Sequence, residues 1–302
     1  MSSLQRYIAE EIASDHLDGL LTRREALRRL ALLGFGTAAA ATLIAACGQD
    51  RKTGTSQPTG AATSSPPSSQ PPGVATAVST APISWPGPQG QLQGAWAEAR
   101  TARGGVLVIH ENKGLNDWVR SVAGRFAGAG YSALAVDLLS EDGGSGRFAD
   151  PAQAAAALAR TAPQRFTGDM KSAVTELQRR VPNRKVAAVG FCFGGGLVWQ
   201  LLASAEPQLS AAVPFYGPLP DEPDFSGSKA AVLAIYAALD TRVTASQSAA
   251  KAALDRAGLV NEIVVEPDAD HAFFNDTGPR YNAAAANDAW RRVLDWLGRY
   301  LA

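Results

Sequence analysis

The sequence predicts an α/β fold, a mostly parallel sheet with helices on both faces. Three observations predict it. Short apolar runs bounded by glycine, at residues 105–110, 131–138 and 185–189, read as strands buried on both faces. Helical periodicity alternates with them, so strand–helix units repeat along the chain. A Gly-x-Cys-x-Gly turn at residues 190–194 joins one such strand to one such helix.

The elements follow in order. After the strand at 105–110, residues 118–129 have helical spacing and end at Gly130. Residues 131–138 form the second strand, and 152–158 and 170–180 read as helices. The strand at 185–189 runs into Gly190, and 197–203 is helical. Residues 210–216 and 231–237 are strands, 245–257 a helix and 263–265 a short strand. Residues 286–301 close the chain as a helix, with Trp290, Val293, Leu294 and Leu297 on one apolar stripe. No internal repeat is present, and no G-x-G-x-x-G follows the first strand.

The chain has 302 residues, with 28 Lys+Arg balancing 28 Asp+Glu. A neutral chain offers no field to gather nucleic acid, so an electrostatic binder is not expected. Two cysteines, Cys47 and Cys192, are too few for a disulfide scaffold or a Cys-rich zinc site. Neither a metal nor a cofactor is expected.

Residues 1–47 have the order of an export signal: the twin arginines Arg23-Arg24, a modest apolar segment from Leu30, then small residues before a break. The arginines resemble the Tat type, which exports folded proteins. Ile44-Ala45-Ala46-Cys47 resembles a bacterial lipobox, which implies cleavage before Cys47 and a lipid on its sulfur. The expected partners are therefore the Tat export machinery and, through that lipid alone, a membrane. The expected location is extracytoplasmic. The 17 residues 30–46 are too short and too rich in Ala and Gly to span a bilayer. Residues 2–21 are helical in spacing but have no place in that scheme. Residues 48–82 hold six Pro, six Ser, six Thr and four Gly, and read as a disordered linker. The folded domain is expected over 83–302.

The chemistry centres on Gly190-Phe191-Cys192-Phe193-Gly194, between a strand and a helix. This is the G-x-S-x-G elbow with Cys in place of Ser. A sharp turn puts the central residue in a strained conformation, and glycine on each side lets neighbouring backbone pass closely. The thiol would stand at a helix N-terminus, whose dipole favours a thiolate. The bland alternative is a buried structural cysteine. A nucleophile needs a base, and His16 lies in the export segment, leaving His110 and His271. His271 sits after the last predicted strand and before the last helix, where this architecture places its base. Asp240 ends the preceding strand and would orient the imidazole. Asp268 and Asp270 are rivals, but sit too near His271 along the chain to reach the far ring nitrogen easily. The loop His110-Glu111-Asn112-Lys113-Gly114 follows the first strand, and the backbone N–H groups of Asn112 and Phe193 would form an oxyanion hole. Glu111 is odd there, because negative charge opposes an oxyanion, unless it simply pairs with Lys113.

Residues 83–302 resemble the dienelactone hydrolase (carboxymethylenebutenolidase) family, an α/β-hydrolase branch with a Cys-Asp-His triad. The resemblance is carried by His110-Glu111-Asn112-Lys113-Gly114, Gly190-Phe191-Cys192-Phe193-Gly194-Gly195, Leu239-Asp240 and His271-Ala272-Phe273. It implies hydrolysis of a small ester or lactone through a thioester on Cys192. It also implies that Glu111 holds the resting thiol and takes its proton when substrate arrives. The family binds a substrate carboxylate with two arginines. One of those positions is Asn275 here, and Arg147, Arg160 and Arg165 are candidates for the other. Trp118, Tyr216, Phe273 and Phe274 are candidates to line the substrate pocket together with Asn275, or to be core. Two rival functions fit the same sequence: a broad carboxylesterase or thioesterase using the same triad, and a tethered solute-binding lipoprotein.

Overall fold

The computed structural model describes residues 3–50 and 70–302. Residues 51–69, within the expected linker, and the side chain of Cys47 lie outside what it describes. Among the described residues, eight strands hydrogen-bond into one sheet in the order β1-β2-β4-β3-β5-β6-β7-β8. They are β1 (Ala81–Pro86), β2 (Gln91–Ala97), β3 (Gly104–Ile109), β4 (Tyr131–Asp137), β5 (Val186–Phe191), β6 (Leu209–Phe215), β7 (Ala231–Ala237) and β8 (Asn261–Glu266). β2 pairs antiparallel with β1 and β4; the remaining pairings are parallel. Strands β3, β4, β5 and β7 are buried at every position, as the continuous apolar runs require.

Helix α4 (Asp117–Gly128) links β3 to β4. Helices α5 (Pro151–Arg160) and α6 (Pro163–Arg180) link β4 to β5, and α7 (Phe193–Ala203) links β5 to β6. The chain steps from β3 to β4 in one direction across the sheet, then from β4 past β3 to β5 in the other. Right-handed crossovers put helices from these opposite steps on opposite faces. Accordingly α4 meets the closing helix α10 (Ala283–Tyr300) through Phe126 and Trp290, ring centroids 4.8 Å apart, while α6 packs on α7. The reversal also separates the carboxyl ends of β3 and β5, and the crevice it opens is where α/β sheets place their ligands.

The structure extends the fold beyond the expected limits. The ordered body begins ahead of residue 83. Arg125 Nη1 donates to Pro72 O at 3.5 Å, Val78 N–H donates to Gly124 O at 3.0 Å, and β1 starts at Ala81. The hairpin β1–β2 had no clear signal, because β1 is a mostly exposed edge strand carrying Pro82 and Pro86. Helix α6 starts at Pro163 rather than 170, with proline at its first turn. Helix α7 starts directly after Cys192, so Gly194, Gly195 and Gly196 are helical. The helix expected at 245–257 is α9 (Gln247–Arg256), and a separate short helix, α8 (Thr241–Thr244), precedes it.

Residues 3–50 fold onto this body. Helix α1 (Ser3–Leu17) packs on α2 (Arg23–Leu32), α3 (Thr37–Asp50) and α5. Leu4, Ile8 and Ile12 recur every four residues, so they share a face with Tyr7, and all are buried. Thr22 caps α2, and Arg28 pairs with Asp150 at 2.9 Å. Arg160 donates to Leu32 O at 3.1 Å. Among the described residues, no helix is long and apolar enough to cross a membrane.

Candidate active site

Strand β5 delivers Cys192 into the crevice. Its backbone has φ 56° and ψ −118°, a conformation rarely adopted by a residue with a side chain. Packing imposes it. A Cβ on Gly190 would lie 2.2 Å from Gly194 O, and one on Gly194 would lie 2.4 Å from Ile109 O. The two glycines let the turn close against itself and against β3. The Phe193 N–H faces the sulfur.

Strand β7 ends at Ala237, and Asp240 follows as the N-cap of α8, accepting from Val243 N–H at 3.3 Å. Its other oxygen, Oδ2, lies 2.6 Å from His271 Nδ1. With Nδ1 donating there, Nε2 is the acceptor that faces the sulfur. Burial alone would push the Asp240 carboxyl up, but the imidazole brings it below its ordinary value. Burial would push His271 down; Asp240 and then Glu11 outweigh it, and its pKa is raised. The rivals differ from Asp240. Asp270 accepts from the His271 backbone N–H at 2.7 Å and lies 3.4 Å from Arg280. Asp268 O accepts from Asn282 Nδ2.

His110 is structural. It is fully buried, its Nδ1 contacts Glu111 O at 2.6 Å, and its Nε2 accepts from Leu138 N–H at 3.2 Å. Burial pushes its pKa down, consistent with a neutral ring.

Glu111 is buried rather than a solvated partner of Lys113. Its Oε2 accepts from Asn275 Nδ2 at 2.9 Å, and its Oε1 has no hydrogen-bond partner. Burial pushes this carboxyl up. Its expected contact with the resting thiol is taken by another acid: Cys192 Sγ donates to Glu11 Oε2 at 3.3 Å. Glu11 comes from α1, as does Tyr7, whose hydroxyl lies 3.3 Å from Sγ and 3.4 Å from His271 Nε2. The Asn112 side chain turns to the same acid, its Nδ2 donating to Glu11 Oε2 at 3.0 Å. The thiol is accordingly held far above its ordinary pKa, first by burial, then by Glu11 and Glu111. This corrects the expectation of a dipole-favoured thiolate. One helix terminus does not offset burial beside two carboxylates.

The other candidates separate into contact and core. Tyr216 is buried edge-on against His271, centroids 5.2 Å apart. Phe273 packs behind it at 5.4 Å. Trp118 is core, tied to Asp276 through Nε1 at 2.9 Å and packed on Phe191. Asn275 is committed to Glu111 and to Thr277. The three candidate arginines bind elsewhere: Arg147 and Arg165 contact Asp142, and Arg160 contacts α2. Two arginines lie near the site: Arg242, 4.6 Å over the Tyr7 ring, and Arg280, which pairs with Asp15 at 2.9 Å and with Asp18. Spacing alone could have flagged Tyr7, Glu11 and Asp15, which fall on one helix face.

Among the described residues, Glu11, Cys192 and His271 bring a carboxylate, a thiol and an imidazole within 4.8 Å of one another. These donor types suit zinc. The Tyr7 hydroxyl, in contact with both the sulfur and the imidazole, occupies the space between them.

Residues 92–301 match the dienelactone hydrolase family. The chain is 33% identical over 208 residues to a carboxymethylenebutenolidase homologue of Escherichia coli O157:H7, covering 65% of this chain and 76% of that one. A homologue in Saccharolobus solfataricus is 30% identical over 230 residues, covering 64% and 88%. Among solved structures, a dienelactone hydrolase homologue from Klebsiella pneumoniae superposes with TM-score 0.63 at 29% identity, covering 73% of this chain and all of that one. The dienelactone hydrolase-like promiscuous phosphotriesterase P91 superposes with TM-score 0.65 at 25% identity, covering 75% and 100%. The elbow at Cys192, the sheet that carries it and the match over most of the chain lead to one conclusion: this chain belongs to the dienelactone hydrolase family of α/β-hydrolases, and is a hydrolase of that kind.

Proposed function

We propose that the chain hydrolyses a small carboxylic ester or lactone through a Cys192-Asp240-His271 triad and a thioester on Cys192. The observation that carries this reading is the 2.6 Å contact from His271 Nδ1 to Asp240, with the elbow sulfur on the other side of the same ring. His271 Nε2 takes the thiol proton and Sγ attacks the carbonyl carbon. The N–H groups of Phe193 and Asn112 stabilise the oxyanion. The tetrahedral adduct expels an alkoxide or enolate, which His271 protonates. Water, deprotonated by His271, then adds to the thioester, and the acid departs as the Cys192 thiol is restored. The test is incubation with a panel of esters and lactones followed by mass spectrometry. An acyl mass on the Cys192 peptide is expected, and acylation elsewhere or turnover without it would overturn the assignment.

Asn275 favours a second reading, a broad carboxylesterase or thioesterase. A neutral amide committed to Glu111 stands where the resemblance calls for a carboxylate-binding arginine. That reading predicts faster turnover of neutral p-nitrophenyl esters than of a carboxylate-bearing dienelactone.

We further propose that residues 1–47 direct Tat-type export and lipidation of Cys47, supported by Arg23-Arg24 and Ile44-Ala45-Ala46-Cys47. Replacing both arginines with lysine should block export, and normal export of that variant would refute the reading.

A further inference from the structure

We infer that α1 is a built-in inhibitory segment: it occupies the substrate position over Cys192, and withdrawing or removing it uncovers the active enzyme. The inference rests on the reading of Cys192 as the nucleophile.

The geometry is direct. A reacting carbonyl carbon must come within about 3–3.5 Å of the sulfur. Two α1 atoms already stand there, Tyr7 Oη and Glu11 Oε2, each 3.3 Å from Sγ. Cys192 is 1% exposed and His271 5%. Tyr7 also contacts His271 Nε2, the position from which the base would act. Glu11 also accepts from the Asn112 side chain, beside the backbone N–H proposed to meet the oxyanion, and so crowds that side of the sulfur as well. Substrate and α1 cannot occupy the site together.

The docking is specific. Ile8 and Ile12 are buried on the same helix, and Arg280 clamps Asp15 and Asp18 one and two turns beyond Glu11. Arg242 lies over the Tyr7 ring. The family match begins at residue 92, so every inhibitory residue lies outside the part shared with the family. Cleavage before Cys47 would remove α1 entirely and couple export to activation.

The experiment uses the full chain and two variants that release α1 by different routes. Asp15→Lys with Asp18→Lys reverses the charge facing Arg280. Ile8→Asp attacks the apolar side and leaves those ion pairs in place. Two readouts are taken: the rate of Cys192 alkylation by iodoacetamide, resolved by peptide mass spectrometry, and kcat/KM on p-nitrophenyl acetate. Both variants should raise both quantities by about tenfold or more. An unchanged alkylation rate, or esterase activity that falls on release or in Glu11→Gln, overturns the inference and makes α1 part of the working site. Failure of the nucleophile reading gives a different result: release would still speed alkylation, but alkylated protein would keep its esterase activity.

Discussion

Asp240 does two jobs with its two oxygens: Oδ2 meets His271 Nδ1 at 2.6 Å, and Oδ1 caps α8 through Val243 N–H. Asp240→Asn keeps an oxygen for the cap but presents the imidazole with a group that can also donate, which favours the wrong tautomer. In the α1-released protein, kcat on a neutral ester should fall by about 10²-fold or more, with little change in melting temperature. Unchanged kcat would remove Asp240 from the proposed triad.

Cys192→Ala should abolish turnover and leave the fold intact, because the side chain contributes little packing beyond its sulfur. Cys192→Ser should keep a small residual rate on activated esters, since a hydroxyl needs a stronger base than a thiol. Comparing acyl-enzyme accumulation and steady-state rates for the two variants checks both.

Gly190→Ala would place a methyl group 2.2 Å from Gly194 O, at backbone that cannot yield. A loss of several kcal/mol of stability is expected, large enough to compromise folding. Gly146→Ala, where the added Cβ meets nothing within 4 Å, should be nearly neutral. Thermal melts of the pair test this, and equal melting temperatures would contradict the geometry.

Two buried acids, Asp169 and Glu266, set a pH dependence of stability. Burial and then Glu141 push Asp169 up to about 6, partly offset by Arg165. Burial and then Asp288 push Glu266 up to about 7, partly offset by Arg292 and Arg291. Both folded-state values lie above the unfolded ones, so the folded chain holds these protons longer. Their contribution is fully present below about pH 4 and is lost as pH rises through 6 to 7. Asp169→Asn with Glu266→Gln should raise stability by about 1–2 kcal/mol at pH 8 and change it little at pH 4. Denaturant melts at the two pH values should show this divergence, and parallel shifts would refute it.

Most of the sheet was legible because its strands are buried on both faces, which leaves unbroken apolar runs. The hairpin β1–β2 was not, since an edge strand with proline at Pro82 and Pro86 carries no such run. The placement of Cys192 at a strand-to-helix turn and the meeting of Asp240 with His271 were legible from chain order and turn chemistry, because each sits where a strand of this architecture ends. Tyr7 and Glu11 were not. Their spacing marks a common helix face, but they are separated from Cys192 by more than 180 residues, and no local pattern encodes that this face docks over the thiol. Glu111 was visible as an oddity, yet its pairing with Asn275 depends on two loops meeting, which sequence order leaves open.

Helix α1 belongs to the same chain as the body it covers, joined to it by way of α2 and α3, and α2 is itself held to α5 by the ion pair Arg28–Asp150. Its local concentration over the crevice is therefore fixed by chain connectivity rather than by how much protein is in the tube. Dilution cannot shed such a cover, and a competing molecule added in solution contends with a tethered rival that never diffuses away. Cutting the chain between α1 and the body turns occupancy of the crevice into an ordinary two-body equilibrium.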